Sequence, residues 1–381
     1  MKIACLTLGV YPIHIGGPTI AIYHLMKEWI KLGVRVVVFV PATQPDAIKL
    51  NNLLPGCEII RLRPWEGVCL SAKIFSFLQG NLMYLKNLHR LMDCDVVHFN
   101  FPPAIHNGVL PMLSSKIGGK KLTLDLHGGI LIPEDLEKSS SIFSLQRAFF
   151  LPQRNIFDTV IVHSQYMKKI AAGFSLRSLR VMPLGVDCDR FKRVTPRRIL
   201  SGSPKILFVG RLENIKGIDV LLKSFKYVVQ EIPSARLYIV GKGSMRQSLE
   251  DLATSLGVAN KVHFEGPLVE NDLAATYMAS DLCVFPSLYG EGFGIVLLEA
   301  MGCRKPVIAS RVGGMKEVIQ NCENGVLVTP GDPRELAEKI LHIVDNPNFS
   351  NRLVNNAYKN VRQNNDWSRI AKQYLELFLL N

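Results

Sequence analysis

The stretch Lys205-Ile206-Leu207-Phe208-Val209-Gly210-Arg211-Leu212-Glu213-Asn214-Ile215-Lys216-Gly217 opens a second series of alternating strands and helices within one chain. Its short apolar, β-rich run reads as a buried strand, and the glycine and charged residues behind it read as the turn into a helix. Similar runs recur at residues 236–240, 261–264, 282–285, 306–309 and 326–328, with helical segments between them. The half before this stretch has the same alternation. It reads as strand 2–8, helix 17–31, strand 35–40, a loop over 41–55, and further strands at 58–62, 95–99, 121–126 and 158–162. Strands that alternate with helices imply parallel sheets covered by helices. A chain of 381 residues exceeds the usual single domain. The expected fold class is therefore α/β, with two Rossmann-like doubly wound parallel-sheet domains facing across a cleft. The polar, proline-containing residues 187–204 are the natural linker, dividing the chain into domains at 1–190 and 191–365.

Composition narrows the function classes. With 48% hydrophobic and 20% charged residues, the chain has the balance of a globular protein with substantial cores, which excludes disorder. The longest uncharged stretch, 96–115, contains Asn100, His106, Asn107 and three prolines, so it does not read as a membrane-spanning helix. Met1 leads straight into a strand without a signal-peptide pattern, and a cytoplasmic location is expected. Eight scattered cysteines with no C-x-x-C pair read as reduced structural thiols. The net charge is +13, and both halves share it: residues 1–190 carry 21 Lys and Arg against 13 Asp and Glu, the remainder 24 against 19. The N-terminal excess suits an anionic acceptor, a membrane surface or nucleic acid. No zinc finger, RNP-like aromatic motif or arginine block is present, so nucleic acid is not an expected partner.

In doubly wound sheets ligands bind at the C-terminal ends of strands, and that rule selects the residues to inspect. Glu291-Gly292-Phe293-Gly294-Ile295-Val296-Leu297-Leu298-Glu299 places two carboxylates either side of a glycine-flanked turn that opens a helix. Helix N-termini favour phosphate through exposed N–H groups and the helix dipole, so the spacing suits an elongated nucleotide sugar. A capping glutamate followed by an unrelated helical one would look the same. After the strand at 205, Arg211 offers a planar fork and Lys216 a point charge, a pair suited to a departing diphosphate. Two solvated surface cations are the plainer alternative. Gly16-Gly17 lies before a helix and lets backbone amides approach a ligand, as would any plain turn. His127, ahead of Gly128-Gly129, puts an imidazole at a strand end, either to bond a sugar hydroxyl, or with its backbone carbonyl facing the reacting carbon, or as a structural histidine. Two Asp-Cys-Asp triplets, at 93–95 and 187–189, read as capping carboxylates, and no metal is expected.

Taken together these segments resemble the retaining glycosyltransferase family 4, of two-Rossmann GT-B architecture. The resemblance spans almost the whole chain. It runs through Gly16-Gly17, His127-Gly128-Gly129, Val162-His163-Ser164, Leu184-Gly185-Val186-Asp187, Gly210-Arg211 with Lys216-Gly217, the two glutamates, and Pro306 to Ser310 followed by Gly313-Gly314 and Glu317. It implies that Glu299 holds the nucleoside ribose, that Glu291 contacts the donor sugar, and that Arg211 and Lys216 bind the diphosphate. Gly292, Phe293 and Gly294 match the phosphate-facing turn, and the loop containing Gly266 and Leu268 matches the backbone edge that meets the base. It further implies retention without a metal or other cofactor, by front-face attack through an oxocarbenium-like state, with His127 beside the reacting sugar. A final helix, residues 366–381, would cross back to the first domain with Trp367 as a packing anchor. Two positions depart from the pattern. Asp125-Leu126-His127 stands where many relatives have a hydroxylated residue and often two adjacent histidines, and Arg304 where many have a small one.

The expected activity is transfer of a hexose-type sugar from a nucleoside diphosphate to a glycan or lipid-linked glycan, as in polysaccharide or glycolipid biosynthesis. The apolar and basic residues of 70–92 read either as a helix packed on the sheet or as a peripheral contact with anionic membrane. A nucleotide-sugar 2-epimerase of the same architecture, and a non-catalytic sugar-binding subunit, are the competing readings. An epimer formed without acceptor would mark the first. The second has no need for leaving-group cations.

Overall fold

A computed structural model of the chain describes residues 1–14, 16–62, 82–102, 109–127, 155–192, 200–268 and 270–380. The chain divides into two compact units, Met1–Leu184 with Trp367–Asn381, and Gly185–Asp366.

The first unit is built on a seven-stranded sheet in the order β3-β2-β1-β4-β5-β6-β7. The strands are β1 Lys2–Leu6, β2 Arg35–Pro41, β3 Cys57–Leu62, β4 Val96–Phe99, β5 Lys121–Leu126, β6 Thr159–Val162 and β7 Leu179–Val181. Every adjacent pair is parallel. Strands β1, β2, β4, β5 and β6 are buried along nearly their whole length, which is why they appear in the sequence as continuous apolar runs rather than alternating ones. Helix Gly17–Lys31 follows β1, and the C-terminal helix Trp367–Leu379 packs against it. Trp29 Nε1 donates to the Ala371 carbonyl at 3.1 Å, and the Trp367 ring stacks on His24 at 5.4 Å.

The segment 41–55, expected to be a loop, contains helix Gln44–Leu53. Thr43 Oγ1 accepts from the Asp46 N–H while Asp46 accepts from the Thr43 N–H, and Pro45 sits in the first turn, where its missing N–H costs nothing. The prolines that suggest a loop thus bracket a capped helix. Of the segment 70–92, residues 70–81 lie outside the described residues. In the remainder Tyr84 and Leu91 are buried, while Leu82 and Leu85 are about half exposed. Among the described residues no helix is long and apolar enough to cross a membrane.

The second unit carries a six-stranded sheet in the order β10-β9-β8-β11-β12-β13. Its strands are β8 Lys205–Val209, β9 Arg236–Val240, β10 Val262–Gly266, β11 Leu282–Phe285, β12 Val307–Ser310 and β13 Val326–Val328, all parallel. Phe208, Phe225, Leu237 and Ile308 are among the residues of its core. The division between the two compact units falls at Leu184/Gly185. Val186 N–H donates to the Asn365 carbonyl at 2.7 Å, and helix Cys188–Lys192 packs on helix Ile295–Gly302, which ties this segment to the second unit.

Arg304 follows helix Ile295–Gly302 with φ 55, a left-handed position that favours glycine. Its guanidinium lies over the Tyr358 ring, 3.8 Å from the centroid. A cation–π contact of this kind contributes about 1 kcal/mol, similar in size to the backbone cost.

Candidate active site

In the second unit the chain runs outward from β8 in one direction and from β11 in the other, so a topological switch point lies between these neighbours. Lys216 ends the single turn Asn214–Lys216 after β8. That turn is clamped to the loop after β11: Leu288 N–H donates to the Ile215 carbonyl at 2.8 Å, and a Cβ on Gly217 would stand 2.1 Å from the Pro286 oxygen. Gly217 is left-handed at φ 63, so this approach needs glycine on both counts. The clamp sets Lys216 Nζ against Glu291 Oε1, which also accepts from Ser287 Oγ at 2.8 Å. Burial pushes the Glu291 carboxyl up, but the Lys216 charge, the Lys216 and Ser287 hydrogen bonds and the Arg211 charge outweigh it and hold it below its ordinary value. The result is an ionised pair whose side chains are only 12% and 19% exposed.

A second glycine turn supports the first. Gly314 N–H donates to the Glu291 carbonyl at 2.8 Å, and a Cβ on Gly313 would lie 2.1 Å from the same oxygen. Phe293 is buried, and Gly294 at φ 91 caps helix Ile295–Gly302. Glu299, one turn into that helix, accepts from the Tyr277 hydroxyl at 3.0 Å. Burial raises its pKa despite that bond and the Arg190 charge. The two glutamates therefore differ electrostatically. Arg211 is exposed and paired with Glu213 at 2.7 Å, so it acts on Glu291 through its field. Gly266, φ 72, ends the edge strand β10, with the half-buried Leu268 beyond it.

The first unit has its own switch point between β1 and β4. Gly16 and Gly17 follow β1. Gly16 is extended at φ 176, and among the described residues nothing lies within 4 Å of where a Cβ on Gly17 would sit. His127, at the end of β5, bonds Asn100 Oδ1 through Nε2 at 3.0 Å, and its ring lies 4.3 Å from that of His163. Gly128 and Gly129 lie outside the described residues. Asp125 is fully buried, accepting from the Tyr374 hydroxyl at 3.1 Å on each oxygen and facing His98 Nε2 at 3.4 Å. Burial would raise the Asp125 pKa, but His98, His163 and His127 together bring it below its ordinary value. Burial and the neighbouring His163 push His127 down to about 3 against the pull of Asp125, and burial lowers His163 as well. Both rings are neutral at physiological pH.

Asp125, His127 and His163 each present a potential metal ligand atom, all within 4.8 Å of one another. A tetrahedral zinc ion with bonds of about 2.0–2.1 Å sets its ligand atoms roughly 3.3 Å apart. Here Tyr374 and Asn100 already engage the Asp125 carboxylate and His127 Nε2, so hydrogen bonds hold this wider cluster. The two Asp-Cys-Asp triplets do local work: Asp93 pairs with Lys2, Asp95 accepts from the Lys2 N–H, and Asp187 accepts from the Arg190 N–H.

Residues 191–360 match the family model described as Glycosyl transferases group 1, and residues 15–190 match Glycosyltransferase Family 4. A D-inositol 3-phosphate glycosyltransferase of Thermomonospora curvata is 35% identical over 399 residues, covering 95% of this chain and 90% of that protein. The chain belongs to glycosyltransferase family 4. A glycosyltransferase of Methanocaldococcus jannaschii with no further assignment is 40% identical over 173 residues, 45% of this chain and 44% of its own length. In fold this glycosyltransferase is similar to Anabaena HepE, solved with UDP and glucose, at TM-score 0.78 and 23% identity over 99% of both chains. It is also similar to sucrose-phosphate synthase of Thermosynechococcus elongatus, at TM-score 0.77 and 24% identity over 99% of this chain and 98% of that one. The architecture is GT-B.

Sequence reasoning missed Ser287, Tyr277, His98, Asn100 and Tyr374. One signal was available: His98, Thr123 and Asp125 are polar residues inside β4 and β5, strands buried on both faces, where an isolated polar side chain needs a partner.

The buried imidazoles make the stability of the glycosyltransferase depend on pH. An unfolded histidine titrates near 6.5, roughly, and His127 in the native state near 3. Between these values the unfolded chain binds a proton that the native chain does not. The stabilisation is thus complete above about pH 6.5 and is lost as pH falls toward 3, by up to about 1.4 kcal/mol per pH unit for each such group. His163 shifts in the same direction. Trp29 and Trp367 are buried in the first unit, so their fluorescence follows its unfolding. Urea titrations should give a lower midpoint at about pH 5 than at about pH 7. Equal midpoints would contradict neutral buried rings.

Proposed function

We propose that this glycosyltransferase moves a hexose-type sugar, with retention, from a nucleoside diphosphate to a hydroxyl of a glycan or lipid-linked glycan. The observation that carries the reading is the ionised Lys216–Glu291 pair at the switch point of the second unit. In that assignment Lys216 and Arg211 stabilise the diphosphate as its negative charge grows, with no metal required. The turn Gly292–Gly294 and the helix N-terminus behind it receive a phosphate. Glu299, oriented by Tyr277, takes the ribose hydroxyls, the edge at Gly266 and Leu268 meets the base, and Glu291 faces the sugar. In the first unit, Gly16 and Gly17 are assigned to substrate binding and His127 to contact with the sugar. HepE, similar in fold, was solved with UDP and glucose, which supports a nucleoside diphosphate sugar as donor. The half-exposed Leu82 and Leu85 beside the exposed Lys86 support a peripheral contact with anionic membrane at the acceptor side.

A dye-detected thermal-shift panel of nucleoside diphosphates and their sugars tests the reading. At one hundred times Kd a ligand of the native state adds about 2.7 kcal/mol, so a matched nucleotide should raise the transition clearly. Lys216→Ala should abolish most of that shift. If no nucleotide moves the transition of the unmodified protein, the donor assignment fails.

A further inference from the structure

Asn100 is nearly fully buried at the end of β4, beside the switch point of the first unit, and its amide bridges two elements that the sequence keeps far apart. Its Nδ2 donates to the Pro18 carbonyl at 3.1 Å and lies 3.5 Å from Thr7 Oγ1. A carbonyl oxygen only accepts. The Thr7 hydroxyl already donates its proton to the Gly9 carbonyl at 2.7 Å, so it too offers only lone pairs to Asn100. Both neighbours demand the NH2 face of the amide, which turns Oδ1 toward His127. Oδ1 in turn only accepts, so His127 Nε2, 3.0 Å away, must carry the hydrogen.

We propose that Asn100 is a positioning residue that holds His127 in its Nε2–H tautomer and ties its ring to the glycine turn at the start of helix Gly17–Lys31. The proton on Nε2 leaves Nδ1 as the lone-pair nitrogen, so His127 meets its ligand as a hydrogen-bond acceptor. Such a nitrogen pairs with a hydroxyl and leaves a deoxy position unpaired. The backbone carbonyl of Pro18, one residue beyond Gly17, is the fixed reference for the whole relay. Movement of the glycine turn would therefore reach the imidazole through one side chain. Asp125 Oδ2, 4.0 Å from Nε2, lies on the same side and favours the same protonated nitrogen. This assignment rests on the reading of His127 as a donor-sugar contact, and the test separates the two.

The nitrogen spectrum of 15N-histidine-labelled protein reports which ring nitrogen bears the hydrogen, with His127→Asn identifying the signal among the nine histidines. In the unmodified protein His127 should show a protonated Nε2 and a lone-pair Nδ1. The opposite tautomer overturns the proposal without any further variant. In Asn100→Ala the two tautomers should become mixed, and turnover with the donor should fall by about tenfold to a hundredfold, while donor KM changes less. Retention of the pure Nε2–H form in that variant also overturns it. Mixed tautomers with unchanged turnover would uphold Asn100 as the residue that sets the tautomer and refute the donor contact of His127.

Discussion

Lys216→Ala is expected to lower turnover by about a hundredfold to a thousandfold, the range seen when one preorganised stabiliser of developing charge is removed. Two effects add. The variant loses the cation proposed for the leaving diphosphate, and it leaves the Glu291 carboxylate, 12% exposed, with the Ser287 hydroxyl still donating to it but without the lysine charge. Without Lys216 the largest influence holding the Glu291 pKa down disappears, and burial then pushes that carboxyl up. Glu291→Gln separates the effects, because the amide keeps the size of the side chain and removes its charge. Steady-state transfer assays on both variants, with circular dichroism to confirm folding, make the comparison. Rates close to those of the unmodified enzyme in both would remove the pair from the mechanism. Arg211→Ala should act in the same direction with a smaller effect, since that guanidinium is exposed and already shared with Glu213.

Asp125→Ala is expected to destabilise the first unit by about 3–5 kcal/mol, the cost of breaking a buried charged network by removing one partner. The Tyr374 hydroxyl loses both its acceptor oxygens, and His98 Nε2 loses the carboxylate it faces. Tyr374 lies on the C-terminal helix, so the variant also weakens the docking of that helix, which Trp29 and Trp367 otherwise maintain. Tyr374→Phe removes one hydroxyl and keeps the ring, and should cost only about 1–2 kcal/mol. Tryptophan fluorescence during urea unfolding measures both, because Trp29 and Trp367 are buried in this unit. An Asp125→Ala midpoint equal to that of the unmodified protein would show that the cluster does not hold the unit together.

The depressed pKa values behind this network explain why an aspartate is tolerated inside a strand. The chain surrounds Asp125 with His98, His127, His163 and Tyr374. A reading confined to Asp125-Leu126-His127 registers a departure from pattern without its compensation. The partners come from β4, from the end of β6 and from the C-terminal helix.

Local chemistry was legible wherever one segment contains its own cause. Helix Gly17–Lys31 and strands β5, β9, β11 and β13 coincide with the expected ranges, because apolar runs between glycine or charged turns need no distant partner to declare themselves. The two-domain α/β class follows from the order of such segments, and the GT-B expectation from the resemblance of the motifs they carry. Helix Gln44–Leu53 was missed because two prolines outweighed a capping box that is itself local.

What only the tertiary structure decided is pairing across the sheet order. Lys216 meets Glu291 across 75 positions because β8 and β11 are neighbours, and Tyr374 meets Asp125 across 249 because the last helix belongs to the first unit. Periodicity states which face of an element is buried, but strand order and register determine what that face meets. The identity of Glu291 as a carboxylate was therefore in the sequence. Its charge state, set by a lysine and a serine brought beside it, belongs to the fold.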